Sequence, residues 1–142
     1  MSTNKCLMSA IEGAIKLRIS KGIFDINFTK VNLLAAREGY VQASLKVESE
    51  HCNVRGHLHG GMAASLVDML STMALMTYDT SKPGVSVDIS LSFLAAAKQG
   101  SEVIISAESL KQGKNLAFLT ANITDATTGK LLITGKHTKY IA

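Results

Sequence analysis

An α+β fold, with one long helix enclosed by a largely antiparallel sheet, is what this 142-residue sequence predicts. Three observations carry that prediction. Residues 62–78 contain neither Pro nor Gly, and Met62, Leu66, Met69, Leu70, Met73 and Leu75 recur at helical spacing. Val85, Val87, Ile89, Leu91 and Phe93 alternate with Ser86, Asp88, Ser90 and Ser92, the period of a strand with one buried face. Beyond them, Lys111-Gln112-Gly113-Lys114 and Asp125-Ala126-Thr127-Thr128-Gly129 supply the turn chemistry that joins antiparallel strands.

The elements follow in chain order. Ile11, Ala14, Ile15 and Leu17 or Arg18 mark an amphipathic N-terminal helix packed on the body. Residues 25–35 and 40–47 read as a strand pair about the turn Arg37-Glu38-Gly39, and 48–58 as an irregular segment. The long helix comes next and is closed by Pro83-Gly84, which contains the chain's one proline. The strand at 85–93 follows, then strands at 102–110, 116–124 and 131–141. Curling such a sheet around the single central helix buries the helix and one face of the sheet together, the hotdog arrangement.

Composition narrows the function classes. At 46% hydrophobic and 18% charged residues the chain is globular, and its length suits one domain over 1–142. No run of about 18 apolar residues is present, so no membrane span is expected. Two cysteines, Cys6 and Cys52, without a secretory leader fit free thiols in a reducing compartment, the cytoplasm. The bias of Lys5, Lys16, Arg18 and Lys21 over the single acid Glu12 also resembles a mitochondrial transit segment, which makes the mitochondrion the alternative address. Net charge is +4, and residues 80–142 carry most of the excess, with 7 basic and 4 acidic groups. Lys98, Lys111, Lys114, Lys130, Lys136 and Lys139 suit a phosphorylated ligand. Scattered lysines with few aromatics and no arginine cluster argue against nucleic acid.

The run His59-Gly60-Gly61-Met62-Ala63-Ala64-Ser65-Leu66-Val67-Asp68 carries the chemistry. It sets one carboxylate inside an apolar helix just after a glycine-rich helix start. Asp is a poor helix-interior residue, and no Lys or Arg lies between Arg55 and Lys82 to pair with it. Ala64, Ser65, Ser71 and Thr72, one turn away, make a narrow stripe of small side chains that leaves room for a ligand. Read on periodicity alone, the same stripe is the solvated side of an amphipathic helix. The first turn of a helix presents N–H groups without intrahelical acceptors, and glycine allows a developing oxyanion to approach them; the same Gly-Gly pair also reads as an ordinary turn. Gly60 and Asp68 are eight residues, roughly 12 Å, apart along the helix axis. Both can act on one carbonyl only if they come from different chains.

Beyond these local readings, Glu50-His51-Cys52-Asn53, Leu58-His59-Gly60-Gly61, Leu66-Val67-Asp68, Ser71-Thr72-Met73-Ala74-Leu75, Pro83-Gly84-Val85-Ser86-Val87-Asp88, Leu110-Lys111-Gln112-Gly113-Lys114 and Gly135-Lys136-His137-Thr138-Lys139 resemble the small hotdog acyl-CoA thioesterases, over nearly the whole chain. The resemblance implies hydrolysis of medium to long fatty acyl-CoA to free acid and CoA by a homotetramer of two hotdog dimers, without metal or organic cofactor. It implies that Asp68 is the general base or water-orienting carboxylate, that Gly60 gives its N–H to the thioester carbonyl, that Asn53 assists, that Ser86 positions water, and that His59 supports the loop or contacts the thioester. Covalent attack by Asp68 is the other route the same residues allow. For CoA it implies Asp88, then Phe93, Leu94, Ala95, Ala96, Ala97 and Lys98, the turn Lys111, Gln112, Gly113, Lys114, Asn115 and Leu116, and Tyr140. Ala95-Ala96 stands where the pattern has Ser-Pro, and Tyr140 where it has His. Strict alternation sets Ser86 on the face opposite Val85, which brings it to a site only if that outer face is covered by another subunit.

Three other readings compete. His51, Cys52, His57 and His59 invite a metal, at spacings that match no standard zinc pattern. A hotdog dehydratase would need a paired His and Asp, and His59 and Asp68 are poorly set for that within one chain. A non-catalytic acyl-CoA or partner-binding module is the third.

Overall fold

The computed structural model describes residues 3–142. Two α-helices, α1 (Lys5–Ser20) and α2 (Gly60–Met76), accompany six strands: β1 (Asn32–Arg37), β2 (Tyr40–Lys46), β3 (Val85–Phe93), β4 (Glu102–Gln112), β5 (Leu116–Asp125) and β6 (Leu131–Tyr140). The strands form one antiparallel sheet in the order β1-β2-β4-β5-β6-β3 and wrap around α2, the hotdog arrangement expected. Alternate residues of β4, β5 and β6 meet the apolar faces of α2, and Leu66, Leu70, Met73, Ile105 and Ile123 are fully buried between them.

Helix α1 starts at Asn4, whose side chain accepts the Cys6 and Leu7 N–H groups. Its buried residues are Ile11 and Ile15, so it packs on the body as its periodicity predicts. The strand expected at 25–35 is shorter. Phe24–Phe28 instead form a 3-10 turn, because Asn27 donates to the Phe24 carbonyl at 2.7 Å and Thr29 to that of Ile26 at 2.5 Å. Such local bonds compete with a sheet ladder. The β1–β2 turn is the expected one. Gly39 has φ of 74°, a left-handed conformation that favours glycine, and an added Cβ would also displace the Tyr78 hydroxyl.

Helix α2 begins two residues before the expected start. His59 caps it, its Nδ1 accepting the Gly61 N–H at 2.8 Å, and this draws both glycines into the first turn. It crosses β6 closely at Gly135, where an added Cβ would lie 3.0 Å from Val67 and 3.1 Å from Leu91.

Strand β3 departs furthest from its periodicity. It is an edge strand whose residues are exposed on both faces, except for half-buried Leu91; Val85 is 68% exposed. A bulge between Ser86 and Asp88 shifts its register against β6. Ser86 pairs with Lys139, Ile89 with His137, Leu91 with Gly135 and Phe93 with Ile133, so Ser86 shares the inward face with Ile89 and Leu91. Strict alternation would have set it outward. The extra residue of a bulge re-aims the side chain beside it.

Candidate active site

Four segments position the candidate groups. Asn53 opens the loop before α2, and its Oδ1 accepts the N–H groups of Arg55, at 2.9 Å, and His57, at 3.2 Å. Its acceptor is thereby used by the backbone, and its Nδ2 donors have no protein partner among the described residues. The first turn of α2 adds a second donor. The His59 cap takes the Gly61 N–H, while the Gly60 N–H has no partner among the described residues. Asn53 and Gly60 line one cleft of about 400 Å³, with Phe93, Leu94, Ala95, Ala96 and Ala97 along the opposite wall. His59 therefore acts on backbone, and two donors lining the same cleft remain for a ligand oxygen.

Asp68 lies two turns further along α2. Its side chain is 55% exposed in the single chain, not buried as an isolated helix-interior acid suggests. The small stripe divides accordingly: Ala64 and Ser65 are half-buried, whereas Ser71 and Thr72 are buried beneath β6. Tertiary structure also supplies the basic side chains that the helix lacks. His137 and Lys139 point inward from β6 and are 1% and 4% exposed. Lys139 Nζ donates to Thr72 Oγ1 at 2.7 Å, and burial lowers its pKa against the opposing pull of Asp68. This lysine is no surface contact for a phosphate, as its sequence context suggested. Alternation on β6 turns it under α2.

His137 sits at the centre of a relay. Nδ1 lies 2.8 Å from Ser71 Oγ, and Nε2 lies 2.8 Å from Ser86 Oγ and 3.8 Å from Asp68 Oδ1. Burial lowers its pKa; Asp68 and Asp88 oppose that and Lys139 reinforces it, so the imidazole is neutral near pH 7. With the Ser71 hydroxyl donating to the Asp68 carbonyl at 3.2 Å, the tautomer that satisfies both ring nitrogens carries its proton on Nδ1. Nε2 is then an acceptor, and Ser86 donates to it. The lone pairs of Ser86 are left facing the cleft of about 380 Å³ that it shares with Asp68, Ser65, Thr72, Arg18 and Lys139. In the sequence His137 has no assigned role and Lys139 only that of a phosphate contact; their alternation with Gly135 on one strand is the available signal.

One chain does not unite the predicted site. Asn53 and Gly60 open on one cleft, Asp68 and Ser86 on another. The CoA-side residues divide likewise. Phe93 to Ala97 lie by Ile133, and Lys98 bridges to His57 beside them. Leu116 pairs with Tyr140 at the other end of β6, roughly 23 Å away at about 3.3 Å per residue, with Lys111, Gln112, Gly113, Lys114 and Asn115 in the adjoining turn. Asp88 lies outward on β3, opposite Thr138. The His51, Cys52, His57 and His59 group is dispersed in its bonding. His51 Nδ1 accepts the Glu48 N–H, Cys52 donates to the Glu48 carbonyl, and His59 caps α2.

This donor and carboxylate geometry can be set beside known proteins. The profile of the Thioesterase superfamily matches residues 55–132. Acyl-coenzyme A thioesterase 13 of Homo sapiens is 42% identical over 135 residues, covering 95% of this chain and 96% of that protein. The Mus musculus protein of the same name is 48% identical over 118 residues, covering 83% and 84%. The crystal structure of zebra fish thioesterase superfamily member 2 superposes with a TM-score of 0.88 at 44% identity, covering 92% of this chain and 94% of that one. Thioesterase superfamily member 2 from Mus musculus gives 0.88 at 42% identity over the whole of both chains. With the profile spanning more than half of its length and such relatives spanning nearly all of it, this chain belongs to the thioesterase superfamily and is a hotdog thioesterase.

Proposed function

We propose that this thioesterase hydrolyses medium to long fatty acyl-CoA to free acid and CoA, at sites made by two subunits of a dimer that pairs again into a tetramer. The observation that carries the reading is the division of labour within one chain. Asn53 and Gly60 offer two donors without a nucleophile, while Asp68 and Ser86 offer two acceptors without an oxyanion hole. Each half is incomplete and the two are complementary. Exposed β3, with Val85, Val87, Ile89 and Phe93 uncovered, offers an unpaired edge through which a second copy can bring them together.

In the assembled site the thioester oxygen lies between Gly60 N–H and Asn53 Nδ2 of one subunit. Asp68 and Ser86 of the other hold water, each accepting one of its hydrogens. Water oxygen attacks the carbonyl carbon, its proton passes to Asp68, and the negative charge moves to the carbonyl oxygen. Collapse of this intermediate breaks the C–S bond. The proton on Asp68 returns to the departing thiolate, which leaves as the CoA thiol. No metal or cofactor enters the scheme. Asp88, the segment 93–98 of one chain and the 111–116 turn with Tyr140 of another are the proposed CoA contacts. Two free cysteines, Cys6 and Cys52, suit the reducing cytoplasm.

Subunit complementation tests the composite site. Asp68→Asn and Asn53→Asp each lower kcat by about 100-fold or more, read as thiol release from acyl-CoA. Co-assembled in equal amounts, half of the dimers are mixed and hold one intact site of two. About a quarter of the wild-type activity then returns. Absence of any recovery from verified mixed dimers refutes a shared site.

A further inference from the structure

The structure holds a third cleft, which adjoins that of Asp68. A groove of about 530 Å³ runs along α1, lined by Gly13, Ala14, Leu17, Ile23, Met76 and Pro83. Arg18, Asp25 and Pro83 line both this groove and the cleft of Asp68 and Ser86, so the two spaces meet at those residues. Arg18 marks the junction: its Nη2 lies 3.7 Å from Met76 Sδ, and it has no carboxylate partner among the described residues. The polar end thus carries the reacting groups, and the rest of the groove is lined mainly by apolar side chains, with Lys21 and Thr80 the polar exceptions. Its size falls within the range of about 300–1,000 Å³ usual for small-molecule sites.

We propose that this groove receives the acyl tail and that α1 sets the chain-length preference, an inference that rests on the thioesterase reading of the Asp68 cleft. A linear aliphatic tail matches the lining: it needs no hydrogen-bond partners, and its thioester end is the group that Asp68 and Ser86 address. The occupant follows from this adjacency, since Arg18, Asp25 and Pro83 border both the groove and the cleft that addresses the thioester. The wall supplied by α1 lies outside residues 55–132 that the superfamily profile matches. Selection by length is therefore a property of the segment before the profile-matched domain, a segment within the span over which the mouse structure superposes. Each methylene transferred from water to such a wall raises kcat/KM about fourfold until the groove is full.

Gly13 provides a clean test, because a Cβ added there meets nothing within 4 Å. Gly13→Phe fills the groove from the helix side. Leu17→Lys places a charge on the wall at a residue 61% exposed, where the fold loses little. kcat/KM is measured for butyryl-, octanoyl- and myristoyl-CoA, with melting temperature and oligomeric state for each protein. The expected result is a tenfold or greater loss for myristoyl-CoA in both variants, butyryl-CoA turnover within twofold of wild type, and unchanged assembly. Equal effects on all three esters, no effect on any, or a change of oligomeric state without a change of chain-length profile overturns the groove assignment. Wild-type protein that turns over butyryl- and myristoyl-CoA equally also overturns it. Wild-type protein that releases thiol from none of them refutes the thioesterase reading instead, which keeps the two failures distinct.

Discussion

Ser86 Oγ and His137 Nε2 lie 2.8 Å apart although 51 residues separate them in the chain. The bulge in β3 turns Ser86 inward, and the alternation of β6 turns His137 to meet it. In the tautomer that carries the ring proton on Nδ1, the Ser86 hydrogen is held away from the cleft and a lone pair is offered to water.

Protonation of His137 reverses that arrangement. Its pKa is lowered by burial, so the folded state resists the proton more than the unfolded chain does, and stability is full above about 6.5, the ordinary histidine value. As pH falls below that value the unfolded state binds the extra proton first, and stability declines towards the lowered folded pKa. The same proton on Nε2 repels the Ser86 hydrogen. An acid limb in kcat with an apparent pKa below 6.5 is expected, and it should vanish in His137→Gln with kcat lowered at least tenfold. A limb unchanged in that variant assigns it to another group.

Asn53→Asp separates the two functions of the loop residue. The carboxylate preserves the acceptor that Arg55 and His57 use but lacks the Nδ2 donors. The melting temperature should hold within a few degrees while kcat falls about 100- to 1,000-fold, the usual effect of losing an oxyanion donor. Comparable losses of melting temperature and kcat would indicate a scaffolding role alone.

The turn between β4 and β5 is tested by Lys111→Ala with Lys114→Ala. Phosphate contacts made equally in ground and transition state raise KM and leave kcat nearly unchanged. A rise of about tenfold in KM for acyl-CoA is expected, with little change for a thioester that lacks the nucleotide. An unaltered KM removes this turn from the CoA site.

Gly135→Ala probes the crossing of α2 over β6. The added methyl meets the Val67 and Leu91 side chains at 3.0 and 3.1 Å, so these must give by a few tenths of an ångström in a closely packed crossing. Overpacking of this kind destabilises by about 1–3 kcal/mol. Denaturant unfolding should show that loss. kcat should also fall, since Asp68 and His137 face each other across the same crossing, and Gly135 neighbours His137 on its strand.

The fold was largely legible because each main element carries its own period. Met and Leu at helical spacing locate α2, and Gly39, Gly113 and Gly129 mark the turns between neighbouring strands. Where local hydrogen bonds outcompete the ladder, as at Asn27 and Thr29, the strand pattern misleads. On β3 the alternation is real but its meaning is not: at the sheet edge α2 covers little of either face, and the bulge shifts the phase at Ser86.

The local sequence determined that Asp68 stands on a helix, that Gly60 begins it, and that at least 12 Å or so separate them, because helical rise is fixed by backbone geometry. Only the tertiary structure decided that His137 and Lys139 lie beneath Asp68, that Asn53 turns its donors free, and that a groove along α1 adjoins the cleft. Contacts between residues 58 to 67 positions apart, such as Arg18 with Met76 and Lys139 with Thr72, depend on how a sheet curls around a helix. No periodicity within a single segment encodes that curvature, because it arises from the packing of all six strands at once.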